Sequence, residues 1–361
     1  MRPVRPADQP EIRIDLYSDT ATMPTQEMRE FMCRAEVGDE QKGEDPTVNR
    51  LQDMVADLLG KEAAVLLPSG TMCNQIAFAV HCTPGDIVLC DRTAHPLHSE
   101  GGGVAALAGV TMYPVDGPGG QFTPDQLLEE MDPPTRYWPG IRGISVEQTT
   151  NGPGGLIWPL EQMREVCATA QSRGAITHMD GARLLNAVVA AGISARDYAE
   201  SFDSVWIDLS KGLGAPVGGV LAGSGEFIDA AWRWKQRIGG AMRQAGFVAA
   251  AGIFALEHNV ERLAEDHRHA RILAEEIAAC PGIQINPDQV KTNMVRFDVG
   301  ELGVTSKEFA DRLLREAGVR VSSPGRTRIR AIPHISIEEA QVREAAGAIG
   351  ALAAQLAVQS T

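Results

Sequence analysis

One lysine of this sequence stands in surroundings that suit covalent chemistry. Lys211 lies in "IDLSKGLGAPVGGVLAG", residues 207–223, among glycines and between two apolar, strand-like runs. Only six of the 33 lysines and arginines are lysines, and the other five lie in polar or amphipathic segments. Apolar walls and a flexible neighbourhood are the usual setting of an amine that forms a Schiff base. Taken alone, the stretch fits a solubilising loop lysine at least as well.

Three further motifs place polar groups where strand-like segments end. "LLPSGT" ends in Ser69, Gly70 and Thr71 directly before a helix, where backbone N–H groups and a hydroxyl can bind phosphate. "AITHMDGAR" places Asp180 at the end of a buried strand, where a carboxylate is costly without a cation. "DRTAH" ends in His95. Each has a structural alternative: a capped helix start, a helix N-cap and a structural histidine.

Together with Lys211, these motifs meet the requirements of one cofactor, pyridoxal 5'-phosphate. Its phosphate needs hydrogen-bond donors, its pyridine nitrogen an acidic partner, its ring a stacking face and its aldehyde an amine. Asp180 and Lys211 are separated by about one helix and one strand, which suits neighbouring strands. The motifs are weak one by one, and their combination predicts this cofactor.

The segments that carry these motifs alternate between strand and helix patterns. This alternation, over about residues 50–225, favours an α/β domain with a largely parallel sheet, whose ligands lie at the carboxyl ends of the strands. Residues 226–275 are almost wholly helical in pattern, and the tail reads as a small α+β domain. We expect an irregular N-terminal segment over 1–45, a large domain over 46–250 and a small one over 251–361.

Composition excludes several classes of function. The 361-residue chain has a net charge of -14 and a pI of about 5.1, which argues against binding nucleic acid or an anionic membrane surface. Its six cysteines contain no CxxC pair, so neither a disulfide framework nor a metal site is expected. No secretory signal and no apolar run of about 18 residues is visible. We expect a soluble, cytoplasmic protein.

The motifs as a set resemble the low-specificity L-threonine aldolases of the aspartate aminotransferase fold superfamily. The likeness runs from about Asp15 to the last helix. It implies a fold-type-I pyridoxal phosphate enzyme with a large, mostly parallel-sheet domain and a smaller α+β domain. The motifs are "SDTAT", "VGDEQKGEDPTVN", "LLPSGT", "AHPLHSEGG", "HMDGARLLNA", "LSKGLGAPVG", "GGAMRQAG" and "IRAIPHIS".

The resemblance implies a role for each residue that matches a family motif. Lys211 forms the Schiff base with the cofactor, Asp180 bonds the pyridine nitrogen and His95 stacks on the ring. Arg243 lies near the phosphate of a neighbouring subunit, which implies a homo-oligomer, with a homotetramer expected. The cofactor phosphate is held by Ser69, Gly70 and Thr71. The substrate carboxylate is bound by Ser18, Arg183 and Arg330, and Arg183 also borders the cofactor.

The implied reaction is retro-aldol cleavage of a β-hydroxy-α-amino acid, such as threonine or allo-threonine, to glycine and an aldehyde. His95, directly or through a water, is the candidate base for the β-hydroxyl proton. Two alternatives stay open. A dehydratase or β-eliminating lyase would use the same cofactor but release ammonia and a 2-oxo acid, and a fold relative could bind the cofactor without turnover.

Departures from the family pattern cluster where the substrate side chain is expected. Thr150 in "QTTNG" replaces a family histidine, and Lys42 in "VGDEQKG" replaces a tyrosine. Tyr17 replaces an arginine, and "HPLHSEGG" has Ser99 in place of an aromatic residue, with His98 before it. We expect a preference for a larger or more polar β-substituent, such as that of 3-hydroxyaspartate. Neutral variation is the alternative.

Overall fold

A computed structural model describes residues 10–359 of the chain. Its strands are β1 (Ile14–Asp15), β2 (Ala63–Leu67), β3 (Ile87–Asp91), β4 (Thr111–Val115), β5 (Ile141–Glu147), β6 (Ile176–Gly181), β7 (Ser204–Asp208), β8 (Gly219–Gly223), β9 (Val295–Asp298), β10 (Val319–Arg320) and β11 (Arg328–Ala331). Its helices are α1 (Gln26–Cys33), α2 (Pro46–Leu59), α3 (Gly70–His81), α4 (His95–His98), α5 (Pro124–Glu130), α6 (Leu160–Ser172), α7 (Leu184–Ala191), α8 (Ala195–Ala199), α9 (Gly225–Arg237), α10 (Gly246–His258), α11 (Leu263–Ala278), α12 (Ser306–Ala317) and α13 (Glu339–Gln359).

Seven strands form one sheet in the order β2-β8-β7-β6-β5-β3-β4. Strand β8 runs antiparallel to both of its neighbours, and all other pairs are parallel. Nearly all residues of β3, β5, β6 and β7 are buried, as expected for parallel strands covered by helices on both faces. The antiparallel strand β8 is fully buried as well. The predicted α/β class with a largely parallel sheet is confirmed.

The chain divides into two compact units. One contains residues 23–261 with the seven-stranded sheet, and the other contains the described residues up to Thr22 together with those from Arg262 onward. The sequence-based boundaries were placed after residues 45 and 250. In the second unit, β1 pairs in parallel with β10, and β9 pairs antiparallel with β11. Apolar residues of these strands form a core with α11, α12 and α13.

Helix α2 shows how local sequence sets the elements that carry the site. Asp45 caps its N-terminus by accepting hydrogen bonds from the backbone N–H groups of Thr47 and Val48. Gly60 follows Leu59 in the left-handed region at φ +64°, which ends the helix. The segment "TVNRLQDMVADLLG" has helical spacing and ends on Gly60, so the sequence predicts this helix, and the structure confirms it.

Three segments differ from the pattern-based expectation. Residues 1–45 were expected to be irregular, yet α1 forms there because Thr25 caps it and its methionines at 28 and 32 pack inward. "GGVAALAGV", whose pattern predicts a helix of small residues, forms a π-helical turn over Val104–Ala108. The helical stretch 226–275 breaks into separate helices, first at Gly239 with φ +77°. Within the described residues, no helix is long and apolar enough to cross a membrane.

Candidate active site

Three carboxylates occupy the carboxyl ends of neighbouring strands in the sheet. Glu147 ends β5 and pairs in register with Asp180 near the end of β6, and Asp208 ends β7. All three are buried. We call these residues the strand-end cluster. Ligands of open parallel sheets bind at this edge, so the cluster marks the candidate site.

Lys211 lies three residues beyond the end of β7, beside this cluster. Its Nζ donates to Oδ2 of Asp208 at 2.6 Å and lies 5.6 Å from the centre of the Trp206 ring. The lysine side chain is 18% exposed. Asp208 also accepts hydrogen bonds from the backbone and hydroxyl groups of Ser210. The amine is therefore held in place at the edge of the sheet while remaining partly accessible.

The start of helix α3 packs directly against the sheet. Ser69 caps the helix and accepts a hydrogen bond from the Met72 N–H at 3.2 Å, as the structural alternative required. A Cβ atom on Gly70 would lie 2.3 Å from the Trp206 ring. Only glycine therefore fits there, and the first turn, with half-buried Thr71, lies close to the end of β7.

Asp180 is buried and is hydrogen-bonded only to neutral groups in the described part of the chain. Its Oδ2 accepts from Nδ2 of Asn74 at 2.8 Å, and its Oδ1 accepts from the Ala182 N–H at 3.1 Å. It is not the N-cap of helix α7, because that position belongs to Arg183. A buried carboxylate without a cationic partner favours a ligand that carries a positive N–H group.

A chain of hydrogen bonds links Asp180 to His95 through two residues. Nδ2 of Asn74 also donates to Oε1 of Glu100 at 2.7 Å, and that oxygen lies 2.9 Å from Nδ1 of His95. Trp206 donates to the Asn74 amide oxygen at 2.7 Å and fixes its orientation. Because every link is a close contact, the charge of Glu100 acts directly on the histidine.

The pKa values of the linked groups follow from this arrangement. The hydrogen bond with Glu100 raises the pKa of His95 above its usual value, against the effect of burial. Burial raises the pKa of Glu100, although its bonds with His95 and Asn74 oppose the shift. Oε2 of Glu100 has no hydrogen-bond partner among the residues the structure describes.

Glu147 is the most perturbed carboxyl group of the strand-end cluster. Burial, followed by the negative charge of Asp180, raises its pKa to about 8. The backbone N–H of Asn151 donates to its Oε2 at 3.1 Å and opposes the shift. A carboxyl group that binds its proton near neutral pH is typical of functional sites.

The other predicted residues of this unit differ in their accessibility. Arg183 and Thr150 are buried, and Nη1 of Arg183 lies 3.5 Å from Oδ1 of Asn151. Lys42 is exposed on a short 3-10 turn, and His98 is exposed with its Nε2 2.5 Å from the carbonyl oxygen of Arg92. These two side chains have no described contact with the strand-end cluster.

Arg243, whose side chain is 62% exposed, pairs with Asp39 at 2.9 Å. The loop that carries it is anchored by a buried ion pair between Lys235 and Glu40, which also accepts from the Met242 N–H at 2.7 Å. The segment is therefore fixed while its arginine points to the surface.

Ser18 and Arg330 belong to the other unit. Ser18 is buried, and its hydroxyl accepts from the Thr20 N–H at 3.2 Å and from the Thr20 hydroxyl at 2.9 Å. Arg330 lies on β11, where its Nε donates to the Ser322 hydroxyl at 3.1 Å. Their roles toward a substrate stay predictions.

Sequence reasoning missed four polar residues of this site. Glu147 and Asp208 end the segments "ISVE" and "SVWID", so the argument that found Asp180 applies equally to them. The two others had no such signal, because their role depends on contacts with residues far along the chain. These two are Asn74 and Glu100.

Comparison with known proteins identifies the family. A family model described as beta-eliminating lyase matches residues 15–299. The chain belongs to this family. It is 38% identical over 334 residues to the low specificity L-threonine aldolase of Escherichia coli strain K12, which covers 92% of this chain and 97% of that protein. It is also 38% identical to low-specificity L-threonine aldolase 1 of Arabidopsis thaliana, over 91% of this chain and 93% of that protein.

Solved structures show the same fold as this lyase. A threonine aldolase from Leishmania major matches with a TM-score of 0.77 at 18% identity, covering 95% of this chain and 99% of that one. An aspartate aminotransferase from Rhizobium meliloti matches with a TM-score of 0.70 at 14% identity, covering 95% and 92%. The predicted fold-type-I architecture and the resemblance to the L-threonine aldolases are confirmed.

Pyridoxal phosphate is the cofactor of this family, and the residues of the lyase fit it. Asp180 is a buried carboxylate whose hydrogen-bond partners within residues 10–359 are neutral, which suits a pyridinium N–H. Lys211 supplies an amine at the same edge of the sheet. The start of α3 packs where only glycine fits at residue 70, so its backbone N–H groups lie at this edge.

Proposed function

We propose that this lyase cleaves threonine and related β-hydroxy-α-amino acids to glycine and an aldehyde. The observation that carries the proposal is the 38% identity, over 92% of the chain, to the E. coli protein named a low specificity L-threonine aldolase. The strand-end cluster supports the proposal, because Lys211 bonds one of its carboxylates and His95 is linked to another through Glu100 and Asn74. Elimination of the hydroxyl is less favoured because the relatives are named aldolases.

The proposed cofactor contacts follow the family motifs. Pyridoxal phosphate would supply an electron sink for the bond that breaks at the substrate α-carbon. Asp180 would hold the ring nitrogen by a charge-assisted hydrogen bond, and His95 would cover the ring. Lys211 would supply the amine that carries the cofactor. Ser69, Gly70 and Thr71, at the N-terminus of α3, would hold the phosphate.

Asp208 is proposed to position the lysine. Its Oδ2 accepts a hydrogen bond from the Lys211 Nζ at 2.6 Å. It also keeps the amine at the end of β7. Replacing this carboxylate would leave a partly buried ammonium without its acceptor.

His95 is the proposed base for the substrate hydroxyl. With Nδ1–H donating to Glu100, the lone pair is on Nε2, and this is the atom that takes the hydroxyl proton. The histidine side chain is 37% exposed, so a substrate can reach it. Glu100 stabilises the positive charge that the ring then carries.

Arg183, Arg330 and Ser18 are proposed to bind the substrate carboxylate. Guanidinium groups suit this task because they form paired, charge-assisted hydrogen bonds with a carboxylate. Thr150, Lys42 and His98 are proposed to border the substrate side chain. Lys42 and His98 are exposed in the single chain, so contact with substrate would depend on the assembled oligomer.

We further propose that the enzyme is a cytoplasmic homotetramer in which Arg243 reaches a neighbour's cofactor phosphate. The exposure of Arg243 on an anchored loop supports this contact. The six cysteines are all free thiols, which suits a reducing compartment. Sedimentation at falling protein concentration tests the assembly, and a fully active monomer would contradict it.

The decisive experiment for the reaction is a product analysis with threonine. The purified holoenzyme is expected to release glycine and acetaldehyde in equal amounts. Release of ammonia and a 2-oxo acid would instead establish elimination. The variant Lys307→Ala, which removes an exposed lysine with no proposed role in the site, serves as the matched control for Lys211→Ala. Only Lys211→Ala is expected to abolish product.

A further inference from the structure

The two-stranded sheet of β9 and β11 has one apolar and one charged face. Arg296 of β9 and Arg330 of β11 lie on the charged face, together with Asp298 and Arg328. Because side chains alternate along a strand, the four intervening residues point the other way. These are the buried core residues Val295, Phe297, Ile329 and Ala331.

The register of this sheet places two arginines directly opposite each other. Arg330 pairs with Arg296, while one step along the strands Arg328 pairs with Asp298. Cβ atoms of directly opposite residues lie about 4.5–5.5 Å apart, and like charges in such positions are destabilising. One cross-strand pair is therefore balanced in charge, whereas the other, Arg296 with Arg330, brings two positive charges together.

No acidic side chain of this unit compensates Arg296. Its side chain is half-buried and forms no hydrogen bond or ion pair within residues 10–359. The neighbouring carboxylate of Asp298 is already used by the Gly300 N–H at 2.8 Å and the Thr327 hydroxyl at 2.7 Å. Burial lowers the pKa of Arg296, and the charges of Arg328 and Arg330 lower it further.

Arg330 is held in a defined orientation beside its cross-strand partner. Its Nε donates to the hydroxyl of Ser322. The backbones of the two residues are also paired, because the Ser322 N–H donates to the Arg330 carbonyl at 3.0 Å and the Arg330 N–H to the Ser322 carbonyl at 2.9 Å. Arg330 is thus flanked by Ser322 on one side and Arg296 on the other. The strand register therefore places Arg296 next to the residue that is proposed to bind the α-carboxylate.

We propose that Arg296 makes this enzyme selective for β-hydroxy-α-amino acids that carry a second carboxylate on the β-carbon. Arg330 binds the α-carboxylate and Arg296 binds the second one. The inference rests on the proposed aldol cleavage and on the role of Arg330 in it. Arg296 has no acidic partner within residues 10–359, and a second carboxylate on the β-carbon would supply one.

The simplest substrate of this class is 3-hydroxyaspartate. Its cleavage breaks the Cα–Cβ bond, and the hydroxyl oxygen loses its proton to the base and becomes the aldehyde oxygen of glyoxylate. The α-carbon takes up a proton and leaves as glycine. The reaction needs no oxidant, reductant or further reactant. Lys42, the extra cation indicated by the sequence, is exposed, whereas Arg296 lies beside the proposed carboxylate-binding residue.

The test compares the holoenzyme with Arg296→Gln and Arg328→Gln. The second variant is the matched control, because Arg328 is on the same face but opposite Asp298. Glycine release gives kcat/KM for 3-hydroxyaspartate and threonine, and calorimetry measures binding of malonate and acetate. In Arg296→Gln, kcat/KM for 3-hydroxyaspartate divided by kcat/KM for threonine is expected to fall about tenfold or more. The ratio of the affinity for malonate to the affinity for acetate is expected to fall by a similar factor.

Three outcomes would overturn the proposal. The ratio could stay within about threefold in Arg296→Gln, both substrates could lose activity equally, or Arg328→Gln could have the same effect. If the wild type releases glycine from neither substrate, the proposed function fails, and the malonate measurement then decides the inference alone. Loss of malonate preference in Arg296→Gln would still support it, and unchanged preference would overturn it.

Discussion

Two regions of the molecule, one in each compact unit, carry uncompensated charges of opposite sign. In the strand-end cluster, buried carboxylates are held by neutral donors and one lysine, and Asp180 has no cationic partner within the described chain. On the sheet of β9 and β11, Arg296 and Arg330 face each other, and no carboxylate is described beside Arg296. The first region suits a ligand with a positive N–H group and the second suits carboxylates.

This contrast shows how an uncompensated charge indicates the ligand that a region binds. A partner of opposite charge from the chain itself would lower the free-energy cost of burying Asp180 or Arg296. Each is surrounded by groups that are already engaged: Asn74 bonds two carboxylates, and Asp298 bonds its own loop. Each region of the described chain thus contains one charged side chain, Asp180 or Arg296, whose oppositely charged partner a ligand could supply.

The largest expected effect comes from removing the amine beside the strand-end cluster, that of Lys211. Lys211→Ala should abolish turnover, because Lys211 is the lysine that contacts the strand-end cluster within residues 10–359. Borohydride treatment of the wild-type holoenzyme should fix the cofactor to the peptide that contains Lys211, as judged by mass spectrometry. A label on Lys42 or Lys235 would contradict the assignment, and Lys42→Ala should keep its visible absorbance.

A second prediction uses Glu147 to measure how strongly the cluster disfavours further negative charge. Its folded-state pKa of about 8 lies above its ordinary value of 4.5, so the folded state binds the proton more tightly. The stability of the cofactor-free protein due to this group is therefore present in full below about pH 4.5 and is lost as the pH rises toward 8.

Glu147→Gln removes this pH dependence. The difference in free energy of unfolding, variant minus wild type, should therefore increase between about pH 4.5 and pH 8. The increase should be on the order of a few kcal/mol. Urea unfolding at pH 5, 6.5 and 8 measures the difference. The control Glu44→Gln, at an exposed position, should follow the wild type, and parallel curves for Glu147→Gln would show that this carboxyl is ordinary.

A third prediction tests the other half of the comparison. Arg330→Ala should reduce kcat/KM by about 10- to 100-fold, since a hydrogen bond to a charged group contributes about 1.5–3 kcal/mol. The cofactor absorbance should not change, because the arginine is assigned to the substrate. Steady-state kinetics measures the effect, with Arg328→Ala as the control variant. Equal kcat/KM in the two variants would show that Arg330 does not bind the substrate carboxylate.

The smallest effect is expected from Glu100, a positioning residue that acts through His95. Glu100→Gln keeps the shape but removes the negative charge beside Nδ1, so the raised pKa of His95 should fall. If His95 acts as a base, the rising acidic limb of kcat/KM then moves to lower pH. A limb that stays in place would separate Glu100 from this proton, and Glu100→Asp should restore part of the wild-type profile.

Much of the large unit could be predicted because its signals are local. Strand and helix patterns alternate along the chain, and Asp180 and Lys211 stand at the ends of apolar segments where parallel sheets bind ligands. The helix end at Gly60 was equally visible. Helix α1 was missed because its stability depends on burying two methionines, which is a tertiary effect.

The sequence by itself determined which residue types stand at the strand ends, since burial and periodicity act over a few residues. Only the tertiary structure decided which distant groups meet. Asn74 joins Glu100 and Asp180 across 26 and 106 residues of chain, and strand register brings Arg296 opposite Arg330. Register depends on the packing of whole strands, and a one-residue shift would move Arg296 into the core, so no local pattern could reveal the pair.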